Sequence, residues 1–164
     1  MIDVVRPTML GKFRGCDRWG DGAFGAPRGS SVHSGPDYAA DPCEDVLSPI
    51  SGNVVRIGVC YPGKRIDSNG ETANPLEPVY ELVEISHSDE LPDGSMYKVS
   101  MKILYVSPVV NIGDVVVAGQ VIGRAQDLGS RYPGITNHIH TTMTISGGVM
   151  NETIVNPELF VGRK

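Results

Sequence analysis

A chain of 164 residues fits a single domain, 1–164, with a core large enough to stand without disulfide staples. Its twenty glycines, twelve prolines and only 20% charged residues exclude a helical bundle and predict an all-β fold of short strands and tight turns. A formal charge of −5 gives no general pull toward nucleic acid or anionic lipid, so neither is expected as a partner.

No apolar run reaches the length of a membrane span, and the opening Met-Ile-Asp-Val-Val-Arg-Pro-Thr lacks a basic end followed by an apolar stretch. Neither membrane insertion nor a signal peptide is therefore expected. Residues 1–32, interrupted by Gly15-Cys16-Asp17-Arg18-Trp19-Gly20 and Gly25-Ala26-Pro27-Arg28-Gly29, read as an ordered N-terminal wrap rather than a separate unit. β-Branched runs predict strands over 45–47 and 53–60, joined by the turn Ser48-Pro49-Ile50-Ser51-Gly52. Residues 61–78, rich in Gly, Asn and Pro, predict a long loop that walls a groove.

Strands follow over 79–87 and 98–106. Glycine turns alternating with β-branched residues over 113–123 predict a hairpin in a barrel-like core. In the last strand, 137–145, side chains must alternate between faces. Ile139, Met143 and Ile145 then go to the core, and His138 and His140 share the opposite face. One helical turn is predicted near 156–160.

Three of the four histidines fall in two groups, His33-Ser34-Gly35-Pro36-Asp37 and His138-Ile139-His140. A zinc enzyme needs three nitrogen or oxygen ligands and one position left open, and two such groups joined by a sheet supply them. The alternative is surface histidines on a loop and a strand, and isolated His87 keeps that reading. Cys16, Cys43 and Cys60 show no Cys-x-x-Cys spacing, which disfavours a thiolate zinc site or redox motif.

The ordered series His33-x-Gly35-x-Asp37, Ser48-Pro49-x-x-Gly52-x-Val54, Gly113-Asp114-x-Val116-x-x-Gly119-Gln120-x-Ile122-Gly123 and His138-x-His140 resembles the LytM/lysostaphin family of zinc endopeptidases. The likeness runs from about Phe24 to Phe160. It implies antiparallel sheets forming a groove with one zinc ion per chain, held by His33, Asp37 and His140. It also implies that His138 orients water or stabilises the oxyanion, and that zinc polarises the scissile carbonyl and acidifies water.

The implied substrate is a peptide of bacterial peptidoglycan. The implied setting is extracellular or virion-associated, with other virion or tail proteins as partners. One position departs from the family: its Tyr-x-His-Leu reads Tyr105-Val106-Ser107-Pro108, so Ser107 stands where a second catalytic histidine is usual. Loss of one general acid or base costs ~10²- to 10⁴-fold in rate.

Cys16-Asp17-Arg18, Tyr105-x-x-Pro108 and Tyr132-Pro133-Gly134-Ile135-x-x-His138 are closer to the leukocyte cell-derived chemotaxin branch, which implies a zinc-retaining binding module without catalysis. A sugar-system phosphocarrier shares the Ser-Pro and His-x-Gly-x-Asp elements, but in the reverse order and without His-x-His. In an oxidising compartment the wrap is expected to bring Cys16 near the ligand loop and within reach of Cys43. The alternative is three buried free thiols.

Overall fold

In the computed structural model, which describes residues 2–60, 79–148 and 150–162, the N-terminal wrap carries two small hairpins. They are β1 (Cys16–Asp17) with β2 (Gly20–Asp21), and β3 (Pro27–Arg28) with β4 (Ser31–Val32). The chain continues through β5 (Asp37–Ala39), β6 (Asp45–Leu47) and β7 (Gly52–Val59). The long strands β8 (Glu81–Glu90) and β9 (Met96–Leu104) come next. β10 (Val106–Pro108), β11 (Val115–Val116) and β12 (Val121–Ala125) lead to β13 (His138–Gly147) and β14 (Met150–Val155). A 3-10 turn at Pro157–Leu159 follows, capped by the Asn156 side chain. The expected groove loop, 61–78, lies outside the described residues.

The fold is all-β. Among the described residues every strand pairing is antiparallel, in a larger sheet ordered β11-β7-β8-β9-β13-β14, with β5 also on β13, and a second sheet ordered β10-β12-β6. Period-two alternation decides which residues fill the space between the two sheets. Val83 lies opposite Ile103 and Ile103 opposite Thr141, while Ile85, Met101 and Met143 form the next row. Buried against these rows are Val46, Val106, Ile122 and Ala125 of the second sheet. The intervening residues Leu82, Leu104 and His140 align on the other face, so the pattern that builds the core also exports the histidine.

Two expected elements are rearranged. Residues 113–123 are not a self-paired hairpin, because β11 pairs with β7 while β12 pairs with β10 and β6. The turn between them is clamped to the Ser-Pro turn: Ser48 N donates to Gln120 O at 2.7 Å and Gly119 N to Ser48 O at 2.8 Å. Its two arms therefore diverge into different sheets instead of zipping together. The strand expected over 98–106 likewise breaks at Tyr105, whose φ of 71° is a left-handed conformation that ends a ladder.

The expected Cys16–Cys43 pair does not form; all three cysteines are free, Cys16 and Cys43 exposed and Cys60 half-buried. The antiparallel bridge of Phe13 to Tyr38 carries Cys16 toward residue 35 and Cys43 the opposite way. Cys60 donates to the Glu81 carbonyl at 3.0 Å, and burial pushes its thiol up to about 11.

Met143 is fully buried at the centre of β13. Met143→Ala should lower the free energy of unfolding by about 2–5 kcal/mol through lost contacts and a residual cavity. Urea denaturation with an unchanged slope checks this, and a loss under about 1 kcal/mol would mean the core closes elsewhere.

Candidate metal centre

β13 opens with His138, so His138 and His140 point to one face. β5 pairs with the same end, setting Ala39 opposite His138 and Asp37 opposite His140. The segment before β5 is laid directly on β13. A Cβ on Gly35 would lie 1.5 Å from the Thr141 carbonyl oxygen, and Thr141 N donates to Pro36 O at 3.2 Å. Only glycine permits this approach, which accounts for the middle residue of His33-x-Gly35-x-Asp37. The second hairpin delivers His33, whose main chain pairs with Ala26 at 2.8 Å and Gly25 at 2.9 Å.

Three ligand-type atoms converge there. His33 Nε2 lies 3.0 Å from His140 Nδ1 and 3.2 Å from Asp37 Oδ1, and His140 Nδ1 lies 2.9 Å from Asp37 Oδ1. The three side chains are 11%, 2% and 10% exposed.

The outer atoms of both rings are committed. His33 Nδ1 lies 2.9 Å from the Ala23 carbonyl, which can only accept, so Nδ1 carries the hydrogen and Nε2 offers a lone pair. His140 Nε2 lies 3.0 Å from Thr142 Oγ1, which can take its N–H and leave Nδ1 bare. The triangle then holds two lone pairs and a carboxylate oxygen around one point, room for a single proton or metal ion. Its edges are close to the ~3.3 Å separation of tetrahedral ligands at ~2.0 Å from zinc. Carbonyl and hydroxyl partners on the far ring nitrogens are the kind that orient metal-binding histidines.

Electrostatics favour a cation. Burial alone would raise the Asp37 carboxyl, but its contacts with the His140 and His33 rings, which share one proton across the triangle, and with nearby His138 hold it well below the usual carboxylate range. Its second oxygen accepts from Arg14 Nη1 at 3.0 Å and lies 3.6 Å from His138 Nε2. His138 Nδ1 donates to the Thr136 carbonyl at 2.8 Å. Burial lowers this imidazole's pKa, which favours the neutral ring, whose Nε2 can accept. The Tyr105 ring meets it edge to face at 5.4 Å.

These groups line a cleft of about 340 Å³, bounded also by Trp19, Arg28, Leu104 and Tyr132. All four residues singled out in the sequence, His33, Asp37, His138 and His140, meet there. Ser107 sits half-buried in β10 opposite Arg124 and is not among the lining residues. His87 stays on β8 beside Tyr97. Arg14 and Thr142 went unnoticed in the sequence, and Tyr105 was quoted there only as part of a motif, without a place in the site. Period-two counting from His140 reaches Thr142, whereas nothing local marks Arg14.

Comparison with known proteins agrees with this architecture. No family model matches the chain. Myeloid protein 1 of Gallus gallus is 28% identical over 135 residues, covering 79% of this chain, which spans only 34% of that protein. Leukocyte cell-derived chemotaxin-2 of Bos taurus is 27% identical over 129 residues, covering 79% of this chain and 71% of its own length. The antimicrobial peptidase lysostaphin from Staphylococcus simulans superposes on 96% of this chain and 55% of its own, with a TM-score of 0.56 at 20% identity.

Asp17 sets the charge balance behind the cleft, accepting from Arg14 at 2.5 and 3.1 Å, Trp19 N at 2.8 Å and Thr136 N at 2.9 Å. Burial would raise its carboxyl, but these donors hold it below the ordinary range. A depressed folded-state pKa gives stability that is present above the unfolded value, ~3.9, and is lost as pH falls through the folded one. Asp17→Asn should therefore cost about 2 kcal/mol at pH 7, with the gap to wild type closing as pH drops below ~4. Urea unfolding at pH 7 and pH 3 tests this; an equal gap at both would show that the charge of Asp17 contributes nothing. The likeness to the LytM/lysostaphin family is thus met on both counts: the chain has the lysostaphin-like fold, and its sequence relatives include the chemotaxin.

Proposed function

We propose that this protein is a metallopeptidase-like domain that binds one zinc ion through His33, Asp37 and His140 and takes a peptide of bacterial peptidoglycan into the adjoining cleft. It works outside the cytoplasm or as part of a virion, beside other virion or tail proteins. The observation that carries this reading is the triangle His33 Nε2, Asp37 Oδ1 and His140 Nδ1, with edges of 3.0, 3.2 and 2.9 Å, at a cleft also lined by His138. Two imidazoles and a carboxylate suit zinc's borderline character.

Zinc held there would supply Lewis acidity toward a carbonyl and toward water. The remaining work falls to the chain. His138, fixed by its Nδ1 bond to Thr136, presents a neutral Nε2 that can take a proton from an attacking water and return it to the leaving amine. The Arg14 bond to Asp37 orients that carboxylate. Leu104 and Leu128, which also line the cleft, add apolar surface to it.

A second reading is favoured by one feature: Ser107 replaces the family's other catalytic histidine. The chain would then keep the metal and bind peptides without cleaving them, as a chemotaxin-like module.

Protein purified without added metal should contain one zinc per chain by elemental analysis. His33→Ala and Asp37→Ala should each remove it; zinc content unchanged in both would refute the ligand assignment.

Wild-type protein should hydrolyse muropeptides well below ordinary enzyme rates of about 1–10³ per second. Ser107→His should raise the rate by ~10- to 100-fold if the longer imidazole reaches the cleft from β10. No gain, with zinc retained, would show that position 107 does not supply the missing group.

A further inference from the structure

Arg28 lines the same cleft as the metal triangle, on the hairpin that ends at His33. Its guanidinium is fixed on one side: Nη2 donates to the Asp21 carbonyl at 2.5 Å and Nη1 to the Pro27 carbonyl at 3.4 Å. Gly20 makes room for it. That residue has φ +110°, and a Cβ there would lie 2.9 Å from Arg28 Nη1.

Both of these partners are neutral carbonyls, so they orient the cation without cancelling its charge. Arg14, the other cleft arginine, is different: its charge is already taken up by Asp17 and Asp37, at 2.5 and 3.0 Å.

We infer that Arg28 is a specificity determinant that receives a carboxylate of the peptide bound in the cleft. This rests on the peptide-binding reading of the metal site. A guanidinium has five N–H donors in a planar fork, and two of them facing a carboxylate make the strongest neutral-pH pairing available to a side chain. Trp19 and Tyr132, whose rings meet edge to face at 5.3 Å, line the same cleft and offer aromatic surface to the rest of the peptide.

The chain as a whole carries a formal charge of −5 and repels anions at long range. Selection for an acidic ligand must therefore come from direct contact. Because Arg28 and His138 share one cleft, the carboxylate lies within a few residues of the peptide bond nearest His138. An acidic stem peptide fits this; an uncharged, amidated or all-glycine bridge does not.

The test is calorimetric binding of two ligand pairs to the full chain with its metal content measured. One pair is a tetrapeptide blocked at both ends with Glu or Gln at the second position. The other is acetyl-tetraglycine ending in a free carboxylate or in an amide. In at least one pair the carboxylate form should bind roughly 10- to 100-fold more tightly. Arg28→Gln should abolish that difference with metal content unchanged, and Arg28→Lys should retain part of it.

Equal affinity within both pairs would overturn the role of Arg28 while leaving the peptide cleft standing. A preference that persists in Arg28→Gln would also overturn it. Binding of none of the four peptides would overturn the cleft reading and this inference together.

Discussion

Gly35 lies against the backbone of β13 so closely that a Cβ would sit 1.5 Å from the Thr141 carbonyl oxygen, and the candidate site depends on that approach. It fixes Pro36 O on Thr141 N, which fixes the register that sets Asp37 opposite His140. A slip of β5 by one residue would turn Asp37 away from His140 and bring a neighbour of it, Pro36 or Tyr38, opposite the histidine instead. The two halves of the metal group are thus locked by main-chain contacts before any metal is considered. This matters because a ligand set held by backbone geometry loses little entropy when it binds.

A second layer of control comes from the wrap. Arg14 reaches Asp37 with one guanidinium nitrogen and Asp17 with the others, and Asp17 in turn caps the main chain at Trp19 and Thr136. Thr136 is also the carbonyl that holds His138. A continuous chain of polar contacts therefore runs from the N-terminal hairpin to the His138 imidazole in the cleft. Such a network is stable because every buried charge in it has a partner; removing one member strands another.

Much of this was legible in the residues. Alternation along 138–145 placed Ile139 and Met143 in the core and both histidines outside it, since period two is a local property. Glycine and aspartate beside His33 marked the first half of the site because the motif is local too. The failures were non-local. The arms of 113–123 diverge because the Ser48 turn, some seventy residues earlier in the chain, clamps the bend between them. Cys16 and Cys43 are carried apart by the direction of one bridge, Phe13 to Tyr38. Arg14 shows nothing in its neighbours that predicts a partner in β5, and the strand break at Tyr105 falls within a run of residues that favour strands.

The sequence separations within the site carry a kinetic consequence. His140 meets Asp37 across 103 positions and His33 across 107. Contacts this distant are closed late and at an entropic cost, which slows folding relative to chains built on local pairs. His33 and Asp37 are four positions apart, so it is His140 that joins them late, and the three become a metal-type cluster only when β5 docks on β13. A chain still folding offers no three-point chelate to passing ions, so the chemistry of the cleft arises together with the finished sheet.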